Sequence, residues 1–513
     1  MPYPDNDLIL SSTNRLITEE GGFVYGYGDT GKTFLWKTLS SAIRAKGEIV
    51  LNVASSGIAA LLLTGGRTAH SRFRIPLNLN EDGLCFIPPG SDSAMLLKKT
   101  SLIIWDEAPM THKHAFEALD RTLRDISRCD MAVNSQLPFG GKVVVFGGDF
   151  RQILPVVTYG SRQHIVNASL SSSYLWHHCT ILKLTKNMRL SVGCDPSTIE
   201  ETTRFAKWLL DIGEGHVGDS SLGDAVIDIP NDLLISQSND PIGSLIDFVY
   251  PSLLQHHRDI NYFQERAILA PKNEVVHDIN DRLLALFPGE GKEYLSSDSL
   301  CEIESVPTSF DKQLYSPDVL NGLKPSGLPK HKLLLKVGVP VMLLRNIDQK
   351  EGLCNGTRLR VLSLGNHVIE AVILTGSNIG NQTFISRFSL SPSDNKTMPF
   401  KFKRRQFPLS VCFAMTINKS QGQSLSRVGL CLRDPVFTHG QLYVVLSRVK
   451  SREGLKILIL DKEGNIKKQT SNVVYKEVLK IYVSYLLFLI IRTIFVKTNY
   501  SDTYRLIMFA IRF

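Results

Sequence analysis

The segment GGFVYGYGDTGKTFLW, residues 21–36, contains the pattern from which the fold class of this chain is predicted. It opens with an apolar run that predicts a buried strand, and a helix-length segment follows Thr33. Between the two, GYGDTGKT at Gly26–Thr33 matches the pattern G-x-x-x-x-G-K-[ST] in the strand-to-helix context that this motif requires. The backbone N–H groups of such a loop can wrap phosphate groups, and the positive end of the helix dipole lies at the same point. The stretch therefore predicts a phosphate-binding loop in an α/β domain.

Four more apolar runs in the first 190 residues predict buried strands separated by helices. They are EIVLNVA (48–54), SLIIWDE (101–107), KVVVFGGD (142–149) and TILKLT (180–185). Continuous apolar strands alternating with helices are typical of a parallel sheet covered on both faces. Polar or glycine residues follow most of these strands, at the edge where open α/β sheets bind ligands.

A second series of strands predicts a second α/β lobe. Its strands are RAILAP (266–271), LSVCFAMT (409–416), VGLCL (428–432) and LKILIL (455–460). From about residue 332 to 407 the strands are short and punctuated by Gly and Asn, which predicts a small β-barrel inserted into this lobe. The predicted division is an N-terminal remnant (1–20), a first lobe (21–190), a second lobe (191–331 and 408–465), the insert (332–407) and a basic, apolar tail (466–513).

Composition limits the class of protein. The chain has 513 residues, of which 43% are hydrophobic and 21% are charged, and these values exclude disordered and fibrous proteins. Eight scattered cysteines do not make a disulfide scaffold, which predicts a reducing compartment. The formal charge is +9, but six of these charges come from residues 466–513, so basic character alone does not establish a nucleic-acid partner.

The ends of the sequence show no membrane or export signal. An apolar run at 481–496 is interrupted by Arg492 and is shorter than the ~20 residues that a membrane-spanning helix needs. Residues 1–20 are polar and lack the apolar segment of a signal peptide. We therefore predict that the chain is not a membrane protein.

Charged and amide side chains at the ends of the predicted strands indicate nucleotide hydrolysis. Lys32 is placed to neutralise the β- and γ-phosphates, and Thr33 and Asp106 are placed to hold Mg²⁺. Glu107 is placed to activate the attacking water as a general base. Gln152, after the strand KVVVFGGD, can sense the γ-phosphate. Two adjacent acids are often a solvated surface pair, but here they directly follow a buried apolar strand.

Taken together, these motifs resemble the superfamily-one DNA helicases of the PIF (petite integration frequency) family, including its plant members and the helicase-like part of Helitron transposons. The resemblance covers about residues 21–460 in the family's order. It is carried by the strings YGYGDTGKTFLW, VASSGIAALLLTGGRTAHSRF, LIIWDEAPM, FGGDFRQILPVV, LTKNMRL, GVPVMLLRNIDQKEGLCNGTRL, FAMTINKSQGQSL and LYVVLSRVKSREGL.

The resemblance implies two RecA-like lobes that close on ATP and move 5′→3′ along one DNA strand. It implies that Glu107, Gln152, Arg189 and Arg448 are catalytic, the two arginines acting across the lobes on the γ-phosphoryl group. The implied nucleotide-binding residues are Gly26, Gly28, Asp29, Thr30, Gly31, Lys32 and Thr33. The implied DNA-contacting residues are Ser55, Ser56, Gly57, Thr68 and His70 in the first lobe, and Thr416, Asn418, Lys419, Ser420, Gln421 and Gly422 in the second.

Three further side-chain groups have two interpretations. A histidine such as His70, taken alone, is more often a packing residue than a DNA contact, and Phe73 can equally stack on a base or belong to the core. Lys401, Lys403, Arg404 and Arg405 form a basic cluster that is either a solvated face or the rim of a DNA site.

The sequence departs from the family pattern at two places. Asp29 stands where the family usually has Gly; a non-glycine residue strains a position that favours positive φ, and its carboxylate repels phosphates. We expect weakened ATP affinity from it. The family also has a Gln-containing segment resembling LN-x-EQ upstream of the phosphate loop, where it recognises adenine, and only Glu19 and Glu20 precede the loop strand here.

These observations predict an ATP- and Mg²⁺-dependent 5′→3′ DNA helicase for repair, recombination, replication or telomere maintenance. Its predicted partners are single-stranded and duplex DNA, with no small-molecule substrate besides ATP, and its predicted location is the nucleus, with the mitochondrion as the alternative. A remnant that binds nucleotide or single-stranded DNA without turnover is the alternative function. A small-molecule kinase is the weakest candidate, because kinases lack a second lobe with an arginine like Arg448.

Overall fold

The computed structural model describes residues 21–128, 136–184, 196–218, 224–235, 238–301, 316–323, 325, 327–392 and 400–479. The chain divides into two compact units. The first consists of Met1–Ile229, Pro435–Ser447 and Gln469–Phe513, and the second of Pro230–Asp434 and Arg448–Lys468. Within the described ranges, no helix has both the length and the apolar content to cross a membrane. The apolar run at 481–496 lies outside them.

The first unit is built on a six-stranded parallel sheet. Its strands are β1 (Gly22–Gly26), β2 (Ile49–Ala54), β3 (Arg67–Thr68), β4 (Thr100–Asp106), β5 (Val143–Gly148) and β6 (Thr180–Leu184). The order across the sheet is β3-β2-β4-β5-β1-β6, and every neighbouring pair is parallel. The five strands predicted from apolar runs are thus confirmed within a residue or two of each end.

Helices of the first unit start where the sequence offers caps. Ser56, Ser91 and Ser161 each accept a hydrogen bond from the backbone N–H three residues later, which satisfies one of the free donors of a helix N-terminus. The helices are Lys32–Ala45, Gly57–Leu61, Ala69–Phe73, Asp92–Lys99, Lys113–Arg128, Arg162–Ala168, Pro196–Glu214, Gln441–Leu446 and Lys476–Leu479, with 3-10 turns at Ala108–Met110, Pro138–Gly141, Leu170–Ser172 and Tyr174–His178.

The first unit extends beyond the predicted boundary at residue 190. The helix Pro196–Glu214 and strand β7 (Asp224–Asp228) belong to it, and β22 (Gln469–Val473) pairs antiparallel with β7. Val474 and Val478 are buried, and the Asn472 side chain donates to the Ile212 carbonyl (2.9 Å). Residues 469–479 are therefore part of the fold, although the sequence prediction placed them in a tail.

The second unit contains a four-stranded parallel sheet in the order β19-β8-β20-β21. These strands are β8 (Arg266–Ala270), β19 (Ala414–Thr416), β20 (Arg427–Leu432) and β21 (Leu455–Ile459). The helices of this unit are Pro241–Val249, Leu253–His256, Ile260–Gln264, Asn273–Leu286 and Pro317–Gly322, and its 3-10 turns are Asn231–Leu233, Ile417–Ser420 and Arg452–Gly454. The predicted strand at 409–416 divides into β18 (Leu409–Val411) and β19, which lie in different sheets.

The predicted insert is antiparallel. A five-stranded sheet has the order β15-β14-β13-β12-β18, and two smaller sheets have the orders β10-β17-β16 and β11-β9. Their strands, besides β18, are β9 (Lys292–Leu295), β10 (Ser297–Leu300), β11 (Lys332–Leu335), β12 (Pro340–Leu343), β13 (Arg358–Leu364), β14 (Val368–Ile373), β15 (Gln382–Ser386), β16 (Phe388–Leu390) and β17 (Phe402–Gln406). Among the described residues, β15 and β18 are edge strands, so hydrogen bonds do not close this sheet into a barrel.

Arg404 divides the basic cluster of residues 401–405 into two faces. Its guanidinium is buried with the carboxylate of Asp298 (2.6 Å) and also donates to the carbonyls of Leu320, Leu323 and Pro329 (2.9, 3.2 and 3.1 Å). A strand presents alternate residues to opposite faces, so Lys401, Lys403 and Arg405 are exposed. Arg404 is therefore a structural residue, and the interpretation of all four as a solvated face or a DNA rim is wrong for this one.

We predict that Arg404→Ala destabilises the second unit, because it leaves the buried Asp298 carboxylate without its cation. Breaking a buried ion pair from one side costs about 3–5 kcal/mol. Thermal unfolding and hydrogen exchange of β10 and β17 measure the effect. Arg405→Ala is the matched control, since it removes an exposed arginine from the same strand. Equal unfolding temperatures for the two variants would contradict the assignment.

Candidate nucleotide-binding site

The phosphate loop follows β1 directly. Thr30 closes it, because its hydroxyl and backbone N–H both donate to the Tyr27 carbonyl (2.8 and 3.4 Å). Asp29 (φ 66°) and Gly31 (φ 86°) both have left-handed backbone conformations. Glycine adopts this region without a penalty and aspartate tolerates it better than most residues. The positive φ expected at Asp29 is confirmed; its effect on ATP affinity stays a prediction.

Lys32 is folded back over the loop at the first residue of the helix Lys32–Ala45. Its ammonium group donates to the carbonyls of Gly26 and Tyr27, the latter at 3.2 Å. Gly28 and Thr33 are half-buried, at the surface of the loop and of the first helical turn. The structure thus brings the residues predicted to bind phosphate, Gly26–Thr33, into one loop at a helix N-terminus.

Glycines in β5 allow the other elements of the site to approach the loop helix. A Cβ atom at Gly147 would lie 2.3 Å from the Trp36 ring of that helix and 3.3 Å from Asp106 Oδ1. A Cβ atom at Gly148 would lie 2.3 Å from Pro109 Cδ. The loop helix, the end of β4 and the turn after it therefore meet at the carboxyl edge of the sheet, separated only by the backbone of β5.

Asp106 carries a carboxylate oxygen with no hydrogen-bond partner among the described residues. The side chain is 5% exposed, and the oxygen in question is Oδ1, the atom that faces Gly147. A buried, unpaired carboxylate oxygen is costly unless a cation or a donor satisfies it. Mg²⁺ is held by one or two carboxylates together with substrate phosphates, so this oxygen fits a Mg²⁺–nucleotide site. Glu107 follows in a left-handed conformation (φ 51°) that turns the chain out of the strand.

A buried polar network fixes the loop Asp149–Gln152 after β5. Asp149 accepts from the backbone N–H and the guanidinium of Arg151 (3.1 and 3.2 Å) and from the hydroxyl of Tyr443 (2.7 Å). Arg151 also binds Glu214 and lies over the Tyr25 ring, 5.1 Å from its centroid. Burial alone would lower the pKa of Arg151, but Asp149 raises it well above its usual value, so the guanidinium stays charged.

Segment 435–447 packs on this loop within the first unit. A Cβ atom at Gly440 would lie 2.3 Å from the Arg151 carbonyl and 2.7 Å from that of Gln152. His439 accepts from the Tyr475 backbone N–H (2.8 Å) and donates from Nε2 to the Phe150 carbonyl (2.7 Å). Burial lowers the pKa of His439 to about 4, so the ring is neutral at neutral pH and can keep both roles.

The two predicted arginines fall in different places. Arg189 lies outside the described residues. Arg448 belongs to the second unit, where it is mostly buried and its guanidinium donates to the Gln423 carbonyl (3.3 Å). The helix Gln441–Leu446, which precedes it, belongs to the first unit. The chain therefore passes from one unit to the other between Ser447 and Arg448.

The predicted DNA contacts of the first unit cluster after β2 and β3. The Ser55 hydroxyl accepts from Trp105 Nε1 (3.1 Å) and from the Thr111 hydroxyl (2.8 Å), while Ser56 caps the helix that begins at Gly57. Thr68 is buried, and burial lowers the pKa of the half-buried His70. These hydroxyls have structural partners, and contact with DNA stays a prediction for the group.

In the second unit, the predicted DNA contacts occupy the turn after β19. Asn418 is exposed, and Thr416 and Lys419 are half-buried. Ser420 is fully buried and its hydroxyl donates to the Ile417 carbonyl (2.7 Å), so it stabilises the turn and does not present a donor at the surface. Gln421 is also buried, and Gly422 has a positive φ (77°). Contact with DNA stays a prediction for the residues of this turn, Ser420 included.

Sequence reasoning did not assign Tyr25, Glu214 and Tyr443, which hold the Asp149 loop. The sequence could have indicated Tyr443, because it lies in the motif string LYVVLSRVK. Glu214 had no signal, since it is an acid at the end of a helix more than 60 positions from Arg151.

Two family models match the chain. The model for PIF1-like helicase matches residues 6–222, and the model for the 2B domain of DNA helicase Pif1 matches residues 318–364. Together they cover about half of the sequence. The second match lies in the antiparallel part of the second unit.

Similar curated proteins are named as helicases. The ATP-dependent DNA helicase Pif1 of Bdellovibrio bacteriovorus is 27% identical over 456 residues, covering 87% of this chain and 86% of that protein. The human ATP-dependent DNA helicase PIF1 is 27% identical over 481 residues, covering 90% of this chain. This chain spans 63% of the human protein's length.

Solved structures share the fold. Bacteroides Pif1 bound to single-stranded DNA gives a TM-score of 0.60 at 24% identity, covering 98% of this chain and 99% of that one. Pif1 from Candida albicans gives 0.59 at 21% identity, covering 94% and 98%. The fold class, two RecA-like α/β lobes of the P-loop NTPase type, agrees with both. By the two matched models and the curated relatives, the chain is similar to PIF1-like, ATP-dependent DNA helicases.

Proposed function

We propose that this chain hydrolyses ATP to move 5′→3′ along single-stranded DNA and to unwind the duplex. The observation that carries the proposal is the buried Oδ1 of Asp106, which has no hydrogen-bond partner in the described part of the chain. It lies at the sheet edge where the phosphate loop and the loop after β5 also lie. A sheet edge of this kind binds a nucleoside triphosphate with its cation.

The residues of the first unit have distinct tasks in this proposal. The loop backbone and Lys32 bind the phosphates, and Lys32 would exchange its two carbonyl partners for phosphate oxygens. Thr33 and Asp106 would hold Mg²⁺, which neutralises phosphate charge when bound. Glu107 accepts the proton of the attacking water, in the role of general base.

Gln152 and segment 435–447 would couple ATP hydrolysis to movement along DNA. The Gln152 backbone lies against Gly440, and Tyr443 donates to Asp149 in the same loop. A change at Gln152 when the γ-phosphate is lost would therefore act on the segment that leads into Arg448. Arg448, and Arg189 by its motif, would stabilise charge on the γ-phosphoryl group.

The proposals for the family subtype, the cellular location and the cellular process start from the motif strings. Their resemblance to plant and Helitron-like members favours that subtype, and a DNA substrate favours the nucleus, with the mitochondrion as the alternative. Repair, recombination, replication and telomere maintenance are the processes in which such an activity is used. Asp29 favours the alternative function, a remnant that binds without turnover, because its carboxylate lies in the phosphate loop.

The test of the function is strand displacement on duplexes that carry either a 5′ or a 3′ single-stranded tail. We expect ATP-dependent displacement of the 5′-tailed substrate alone, together with ATPase activity stimulated by single-stranded DNA. Lys32→Ala should abolish both, since it removes the loop cation. Lys37→Ala, an exposed lysine on the same helix, is the control. ATP hydrolysis without strand displacement would contradict the helicase proposal. Absence of ATP hydrolysis would support the alternative, a remnant that binds without turnover.

Tyr443→Phe tests the link between the loop and segment 435–447. It removes one donor from the buried Asp149 carboxylate, which costs about 1–3 kcal/mol of stability. We expect kcat for DNA-stimulated ATP hydrolysis to fall about tenfold, equivalent to ~1.4 kcal/mol, with little change in KM. Steady-state ATPase kinetics at saturating DNA give both values.

The control for that variant is Tyr174→Phe. The Tyr174 hydroxyl donates to the Asp120 carboxylate at the same distance (2.7 Å), in the same unit and away from the phosphate loop. Both variants lose a tyrosine–carboxylate bond, but only Tyr443→Phe should lower kcat. A purely structural role for Tyr443 predicts the same kcat in both variants.

A further inference from the structure

One face of the sheet β10-β17-β16 presents three exposed cations. Lys403 and Arg405 are exposed on β17, and Lys401 lies on the same side just before the strand. None of the three forms an ion pair with another residue in the described part of the chain. Phe402, Arg404 and Gln406, which alternate with them, are buried on the opposite side. The alternation thus places every cation of this segment except Arg404 on the exposed face.

The neighbouring strands add hydroxyl groups to this face and no acid. Antiparallel pairing places Ser297 opposite Arg405 and Ser299 opposite Lys403, with Ser389 on the other side of Arg405. All three serines are exposed. The acid of β10, Asp298, faces the other way and is occupied by Arg404. Serine hydroxyls beside Lys and Arg are typical donors to phosphate oxygens.

The described residues of this face include no aromatic ring, and this favours a duplex over a single strand as its ligand. Proteins that hold single strands without sequence preference stack bases on aromatic side chains. Phe388 pairs with Gln406 and Phe402 alternates with Lys403, so both rings belong to the other face. From Lys401 to Arg405 the strand extends about 13 Å. That length equals the axial rise of about four nucleotides of a duplex strand.

We propose that the exposed face of β10-β17-β16 binds the phosphate backbone of duplex DNA through Lys401, Lys403 and Arg405, with Ser297, Ser299 and Ser389 as additional donors. The contact is independent of base sequence, because it reaches phosphates only. The inference rests on the proposed action on DNA and adds a duplex contact outside the nucleotide-binding and strand-contacting residues.

The experiment measures the affinity of the full chain for a blunt-ended duplex and for a single strand over a series of salt concentrations. Each phosphate contact contributes about 0.9 to the slope of log affinity against log salt. Lys403→Ala/Arg405→Ala should reduce the slope for the duplex by about 1.8 and weaken duplex binding roughly tenfold at low salt. Affinity for the single strand and ATPase stimulation by it should not change.

The matched control is Lys330→Ala/Lys332→Ala, which also removes two charges from the second unit. Both control lysines are already neutralised, by Asp281 (3.2 Å) and Glu293 (2.5 Å). An unchanged duplex slope in Lys403→Ala/Arg405→Ala overturns the inference, and so does an equal loss of single-strand binding. If single-stranded DNA does not stimulate ATP hydrolysis by the wild-type chain, the proposed function is contradicted. That outcome is separate from the test of the duplex contact, because measuring duplex affinity needs no ATP.

Discussion

The candidate nucleotide site can form because Gly147 and Gly148 carry no side chains. Because β5 lies between β1 and β4 in the sheet, any side chain at its end would stand between the phosphate loop helix and the acidic turn. A methyl group at either glycine would overlap Trp36 or Pro109. Only the bare backbone lets the Asp106 carboxylate lie beside that helix in a buried position. A single parallel sheet thereby brings its functional groups from three strand ends to one place.

Segment 435–447 packs on the same edge within the first unit. The segment lies late in the sequence but packs on the loop after β5, where Asp149 receives the Tyr443 hydroxyl and Gly440 lies against the Gln152 carbonyl. Buried polar networks of this kind are rigid when every member has a partner. The loop that is expected to sense phosphate and the segment that precedes Arg448 are therefore packed together within the first unit.

Much of this arrangement could be predicted from sequence, and the exceptions have a common cause. Continuous apolar runs located β1, β2, β4 and β5 because a doubly covered parallel sheet needs apolar residues on both faces. The phosphate loop and Asp106 followed from local patterns. Glu214 did not, because its partner Arg151 is distant in the chain. Arg404 looked like part of a basic surface, since nothing near it in sequence revealed the buried Asp298.

We propose that the Asp106 carboxylate completes a cation–nucleotide site, and calorimetric titration with ADP in the presence and absence of Mg²⁺ measures its contribution. The wild-type chain should bind ADP at least tenfold more tightly with Mg²⁺, a difference of about 1.4 kcal/mol. Asp106→Asn keeps the shape of the side chain but removes its charge, so it should bind ADP equally with and without Mg²⁺. The same Mg²⁺ dependence in both proteins would contradict the account.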